Sequence, residues 1–302
     1  MTAPDAITVP EDVVLALAPG NTPTITVPDG SELVVSTKDC FSNAITSTEQ
    51  LFSSVGWELI NPATGPIAIE GARPGDTLKV EILEIQTADE GTMTTHPEFG
   101  VLPGTVDERT RKVPVRDGHV EFDQHVRFPV NPMIGVIGTA PADAEIPTGT
   151  PGDHGGNMDC KEIAAGATLY LPVEVEGANL AIGDVHAAMG DGEVAVCGLE
   201  IAATVRVRVS VVPGRPLPLP FLVTDSAVMA LASRDALSAA VTEATRMMRD
   251  WLAEHSPLDA TDALMLLSLV GDLRICQIVD PMVTARMELR RDAVEAYALP
   301  LP

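Results

Sequence analysis

The rhythm of hydrophobic and polar positions changes once along the chain, near residue 213. Before that point alternation dominates: "TLKVEILEI" (77–85) and "TVRVRVSVV" (204–212) place apolar residues at every second position, the period of a strand with one buried face. "TLYLPVEV" (168–175) and "EVAVCGLEIA" (193–202) are more continuously apolar and predict strands covered on both faces. The turn-forming clusters "NPATGP", "RPGD", "RDGH", "EGAN" and "GDGE" separate such runs, and "RDGHVEFDQHVRF" (116–128) reads as a hairpin. "PGRPLPLP" (213–220) then reads as an extended connector, because proline removes the donors that a helix or inner strand needs. Beyond it the spacing becomes three and four. Leu237, Ala240, Val241, Ala244, Met247, Met248, Trp251 and Leu252 share one helical face, with Ser233 or a near neighbour as the expected cap. A second helix in "DATDALMLLSLVG" starts near Asp259 or Thr261 and stops at Gly271, and "LRICQIVD" (273–280) returns to strand.

The helices are clustered instead of alternating with strands, so the expected class is α+β. The pattern predicts a β-rich body of sandwich- or barrel-like sheets with a helical hairpin near the C-terminus. Residues 1–212 would form the β-rich part carrying the chemistry. Residues 213–302 would supply the connector, two helices and a returning strand packed on it, an arrangement equally compatible with one single domain.

Composition narrows the function. The 302 residues contain no apolar run of the ~18–20 residues that a spanning helix needs. "MTAPDAITVPEDVV" lacks the basic flank and apolar core of a secretory leader, so a cytoplasmic location is expected. Lys and Arg number 19 against 43 Asp and Glu, a formal charge of −24. Such a surface serves solubility and repels phosphate backbones and anionic lipid. Nucleic acid and membrane partners are therefore not expected, and a neutral or cationic small molecule suits the chain better than an anion. Cys40, Cys160, Cys197 and Cys276 form no CxxC pair and read as small buried side chains, not a disulfide framework.

Three segments combine acidic residues or histidine with turn-forming residues: "STKDCFSNAI" with Asp39, "PGDHGGNMDCKE" with His154, Asn157 and Asp159, and "GDVHAAMGDGE" with Asp184, His186, Asp191 and Glu193. Glycine lets a chain turn sharply or approach a ligand closely. Carboxylate and imidazole at such turns suit zinc, manganese or a similar divalent ion. No HExxH, P-loop, βαβ-borne GxGxxG or GxSxG is present. Among the other histidines, His119 and His125 fall in the hairpin, His255 ends a helix where a cation suits the dipole, and His96 lies in an irregular stretch.

The blocks "INPATGPIAIEGARPGDTLKVEI", "HGGNMDCKEIAAGATLYLPVEVEGANLAIGDVHAAMGDGEVAVCGLE" and "LSLVGDLRICQIVDP" resemble the acetamidase/formamidase family over roughly residues 20 to 285. The stretch from His96 to Pro132 matches only loosely. The resemblance implies hydrolysis of short aliphatic amides to ammonia and carboxylate, a β-rich fold, homo-oligomers and a bound divalent metal, zinc or calcium. It maps the family's polar positions onto Asp39, His154, Asn157, Asp159, His186, Asp191 and Glu193. A divalent ion activates water and polarises a carbonyl, so the expected ligands are His186 with members of the set Asp39, His154, Asp159 and Asp191. Glu193 would be general base and acid, and Asn157 would orient the carbonyl. Two alternatives stand beside this: a cysteine nucleophile, Cys40 or Cys160, and a non-catalytic β-rich binding protein whose loops hold a metal for rigidity. "DCKE" (159–162) offers neighbouring Cys, Lys and Glu, but adjacent residues of an extended chain point to opposite faces.

Overall fold

The computed structural model describes residues 6–301; residues 1–5, part of the opening stretch read above for a leader, lie outside it. The architecture is α+β: two large sheets face each other, a smaller sheet flanks them, and a helical layer covers one end.

The nine-stranded sheet contains Thr77–Thr87, Ala203–Val212 and Glu32–Thr37 as successive neighbours. Alternation works here as the sequence predicts. Leu78, Val80 and Ile82, with Val205, Val207 and Val209, point into the core, while Arg206 and Arg208 stand outside and pair with Glu32 and Glu84. The same sheet continues through Thr168–Pro172 and Phe221–Val223 to Ala227–Arg234, Val283–Arg290 and Gly271–Gln277. It therefore joins strands from both sides of the proline-rich connector.

The six-stranded sheet holds Met133–Gly138 and Leu180–His186 side by side, then Ala63–Ile69. All three strands are buried at every position. One face, with Ile67, Ile134, Ile137, Ile182 and Val185, joins the core of the large sheet. The expected hairpin exists: Arg109–Arg116, His119–Glu121 and Arg127–Pro129 pair in succession, and Glu90–Thr95 completes a four-stranded sheet.

Helix α1 (Leu237–His255) and helix α2 (Ala260–Val270) form the hairpin. Ala244, Met247, Met248, Trp251 and Leu252 pack on Phe221, Val228, Ala230 and Leu289 of the sheet. Asp259 caps α2 by accepting from the backbone N–H groups of Thr261 and Asp262 at 2.8 and 2.9 Å. The cap of α1 differs from expectation. Ala236 occupies that position without a side-chain bond, because Ser233 still belongs to a strand and its hydroxyl meets that of Thr284 at 2.9 Å. The segment 193–202 is also not a regular strand. A turn closed by Val196 N–H to the Glu193 carbonyl, with both residues at positive φ, breaks its first half. Its second half, Leu199 to Ala202, keeps ladder-like backbone bonds to neighbouring segments.

Candidate active site

The Leu180–His186 strand, paired on both sides in the middle of the six-stranded sheet, carries Asp184 and His186 at its C-terminal end, and the turn after Gly155–Asn157 delivers Asp159 beside them. Their close approach depends on glycine. A Cβ at Gly135 on the intervening strand would collide with the carboxylates of Asp159 and Asp184. A Cβ at Gly198 would lie 2.6 Å from His186 Nδ1. The segment from Glu193 to Glu200 closes the group from the other side, and the loop after Gly271–Gln277 adds Asp280.

His186 Nε2 lies 3.0 Å from Glu200, 3.5 Å from Asp184 and 3.8 Å from Asp159. All four side chains are buried. Asp159, His186 and Glu193 each offer a ligand atom within 4.8 Å of one another, and so do Cys40, Asp184 and Glu200. The carboxylates of Asp159, Asp184, Glu193 and Glu200 thus gather at one imidazole, and Asp280 adjoins Asp159 and Glu193. Both oxygens of Asp159, Asp184 Oδ1, Glu193 Oε2, Glu200 Oε2 and Asn157 Oδ1 are buried without a hydrogen-bond partner. Native proteins leave few such atoms unsatisfied. The donor set, imidazole and carboxylates with one thiol nearby, is the chemistry that holds a divalent cation of the zinc type.

Electrostatics gives the same picture. Burial, reinforced by the Asp184 charge, raises Asp159 to about 7. Burial raises Glu200 to about 8, against the opposing influence of His186. Burial and Asp159 push Glu193 well above the usual carboxylate range, and burial with Asp159 and Glu193 does the same for Asp280. Burial alone would favour a neutral His186, but Glu200 and Asp184 hold its proton on. These carboxyls ionise together only if positive charge joins them.

A cavity of about 770 Å³ opens onto this group. Asn157, Asp184, Glu193, Glu200, Asp280 and Cys40 form its polar floor. Asn157 Nδ2 donates to Asp280 at 2.9 Å, which leaves its Oδ1 free to accept. Asn61 Nδ2 lies 3.4 Å from Asp184.

The model of the Acetamidase/Formamidase family matches residues 18–148 and 144–220. The chain belongs to this family. A crystal structure of an acetamidase from Bacillus halodurans is 45% identical, superposes with a TM-score of 0.95 and covers 98% of this chain and 100% of that one. A predicted acetamidase/formamidase from Thermoanaerobacter tengcongensis is 42% identical, with a TM-score of 0.94 and 98% of each chain covered. Among curated relatives, the formamidase of Methylophilus methylotrophus is 26% identical, matching 49% of this chain and 51% of that protein. The acetamidase of Mycolicibacterium smegmatis is 27% identical, with 63% of each covered. The chain thus spans between half and two thirds of the length of these curated relatives.

Within this family member, the structure brings Asp159, His186, Glu193 and Asn157 together and places three other expected residues elsewhere. Asp39 is buried at the base of the loop that carries Cys40 and Phe41, where its Oδ1 accepts from the backbone N–H groups of Phe41 at 3.1 Å and Asn43 at 2.6 Å. His154 folds against Gly152 and Gly156 of its own turn and does not line the cavity. Asp191 takes a bidentate pair from Arg286 at 2.7 and 3.0 Å and a contact from Lys161 at 3.1 Å. Glu200, Asp280 and Asn61 also reach the cavity, outside the three polar segments. A charge inside the apolar runs "CGLEI" and "QIVDP" was the available signal for the first two. Nothing local marks Asn61.

Among the described residues no helix is long and apolar enough to cross a membrane.

Proposed function

We propose that the protein hydrolyses small neutral carboxamides to ammonia and the carboxylate, using water activated at a divalent-cation site formed by Asp159, His186 and Glu193. The observation that carries this is the convergence of one imidazole and five carboxylates, several of their oxygens unsatisfied, of which Asp184, Glu193, Glu200 and Asp280 line the floor of a single cavity with His186 and Asp159 packed behind them, in a chain whose relatives are named formamidase and acetamidase. The imidazole favours zinc over calcium, which takes oxygen ligands. When bound, such an ion lowers the pKa of water and polarises a carbonyl.

The chain's own groups account for the remaining work. Asn157 Oδ1 accepts an N–H of the substrate amide and so orients it, with Nδ2 anchored on Asp280. This assigns Asn157 to the amide nitrogen instead of the carbonyl oxygen. Glu193 Oε2 faces the floor without a partner. It takes the proton of the attacking water and returns it to the leaving nitrogen, a relay open to a carboxylate that positive charge in the site keeps ionised. The surrounding carboxylates disfavour an anionic substrate and favour departure of the carboxylate product.

The structure supports a cysteine nucleophile poorly. Cys160 is fully buried and does not line the cavity. Cys40 does line it, but burial and the charges of Glu200 and Asp184 push its thiol well above the usual range, the opposite of an activated thiolate.

Ammonia release from formamide, acetamide and propionamide, with elemental analysis of the same preparations, tests the proposal. Glu193→Gln and His186→Ala are each expected to lower kcat/KM by ~100-fold or more, and His186→Ala also to lose bound metal. Wild-type turnover in both variants would refute the assignment.

A further inference from the structure

The cavity is much larger than the amides for which the relatives are named. Acetamide has four heavy atoms and, at the ~30 Å³ that one water molecule takes in the liquid, fills roughly 120 Å³. The cavity holds about 770 Å³. Its floor is polar, but its wall is aromatic: Phe41, Phe52, Trp57 and Phe99 all line it. The chain has only six Phe, two Trp and two Tyr, so four of its ten aromatic residues meet at this one place.

They form a connected box. Phe52 meets Trp57 edge-on with ring centroids 5.1 Å apart, Trp57 meets Phe99 at 5.4 Å, and Phe41 meets Phe52 at 6.0 Å. Phe41 and Phe52 are buried, whereas Trp57 is 64% exposed and forms the rim. These side chains come from four separated stretches, two of them short 3-10 turns, Phe52–Ser54 and Trp57–Leu59. The only charged side chain on this wall is Glu58, which repels anions. An acyl group that fills such a space is apolar and uncharged.

We propose that the aromatic wall is the acyl subsite, and that the preferred substrates are primary carboxamides with an apolar acyl group larger than acetyl, of the arylalkyl or medium-chain alkyl class. This rests on the amide-hydrolysis reading above. A one- or two-carbon amide leaves the box empty, while each added methylene that enters it strengthens transition-state binding about fourfold.

The test is kcat/KM by ammonia release across formamide, acetamide, butanamide, hexanamide and 3-phenylpropionamide, in wild type, Trp57→Ala and Phe99→Ala. Rising values are expected, with 3-phenylpropionamide exceeding acetamide by at least about tenfold, and that ratio dropping by about tenfold in either variant. In parallel, 4-phenylbutan-2-one, a ketone that cannot be hydrolysed, is titrated by tryptophan emission. It is expected to bind at least about tenfold more tightly than acetone and to lose its signal in Trp57→Phe, since Trp251 lies in the separate helical layer. Values that fall with acyl size while formamide and acetamide release ammonia would overturn the acyl subsite and leave amide hydrolysis standing. No ammonia from any amide would overturn the hydrolytic reading instead. A phenyl ketone that binds no better than acetone removes the subsite whatever the activity.

Discussion

Asp159, Asp184 and Glu193 all hold positive φ, at 42°, 52° and 48°, and Val196 at the cavity wall sits at 95°. Such backbone is costly for residues with a side chain, typically ~1–3 kcal/mol each, and for a β-branched residue it is an outlier. Three of the buried carboxylates are thus held in place by the packing around them against local preference. Glycine at 135 and 198 is the complementary device, leaving room where two site side chains pass a strand and a loop. His154 shows a different residue-scale effect. It is 5% exposed with no partner for Nε2, and burial pushes its pKa down to about 4 from the usual 6.5, against the opposing charge of Asp153. The unfolded chain therefore binds the proton more readily between these values. Folding stability is complete above pH 6.5 and falls as pH drops towards 4, by on the order of 3 kcal/mol for this group. The unfolding free energies of wild type and His154→Gln, measured in urea at pH 7 and pH 4, should shift relative to each other by about that amount in favour of the variant. A constant difference would contradict a buried neutral imidazole.

At the scale of elements, the site depends on how the loop 190–193 is clamped to the large sheet. Gly192 N–H donates to the Cys276 carbonyl at 2.9 Å. Arg286, 1% exposed on the Val283–Arg290 strand, grips Asp191 with both terminal nitrogens and also bonds Glu288 at 2.6 Å. Burial would raise Asp191, but hydrogen bonds from Arg286 hold it below the usual range. Asp191 thereby positions Glu193, two residues on. Asp191→Asn leaves the buried guanidinium short of charge and should cost about 2–4 kcal/mol, allowing for the remaining Glu288 contact. It should also lower amide turnover by displacing Glu193. Unchanged urea stability together with unchanged turnover would show that the clamp plays no part.

For the whole molecule, the net charge of −24 spreads over a surface with few cations to balance it, and self-repulsion opposes compaction. Screening at ~0.5 M salt shortens the Debye length to below 5 Å. Sodium chloride raised from 0.05 to 0.5 M should therefore lift the Tm by a few degrees, roughly 2–5 °C. A Tm that falls with salt would mean that attractive pairs such as Arg208–Glu32 outweigh the repulsion.

The amino-acid order alone determined what depends on neighbours within a few residues. Alternation gave Thr77–Thr87 and Ala203–Val212, three-four spacing gave α1 and α2, and the glycine-flanked polar stretches offered Asp159, His186 and Glu193 as candidates, because each signal is local. Tertiary structure decided which turns meet. Asp191 and Glu193 are two residues apart, yet one enters an ion pair with Arg286 and the other reaches the cavity floor. Glu200 and Asp280, eighty residues apart in the chain, arrive at the same cavity. Long-range sheet pairing sets those distances, and no short window of sequence encodes it.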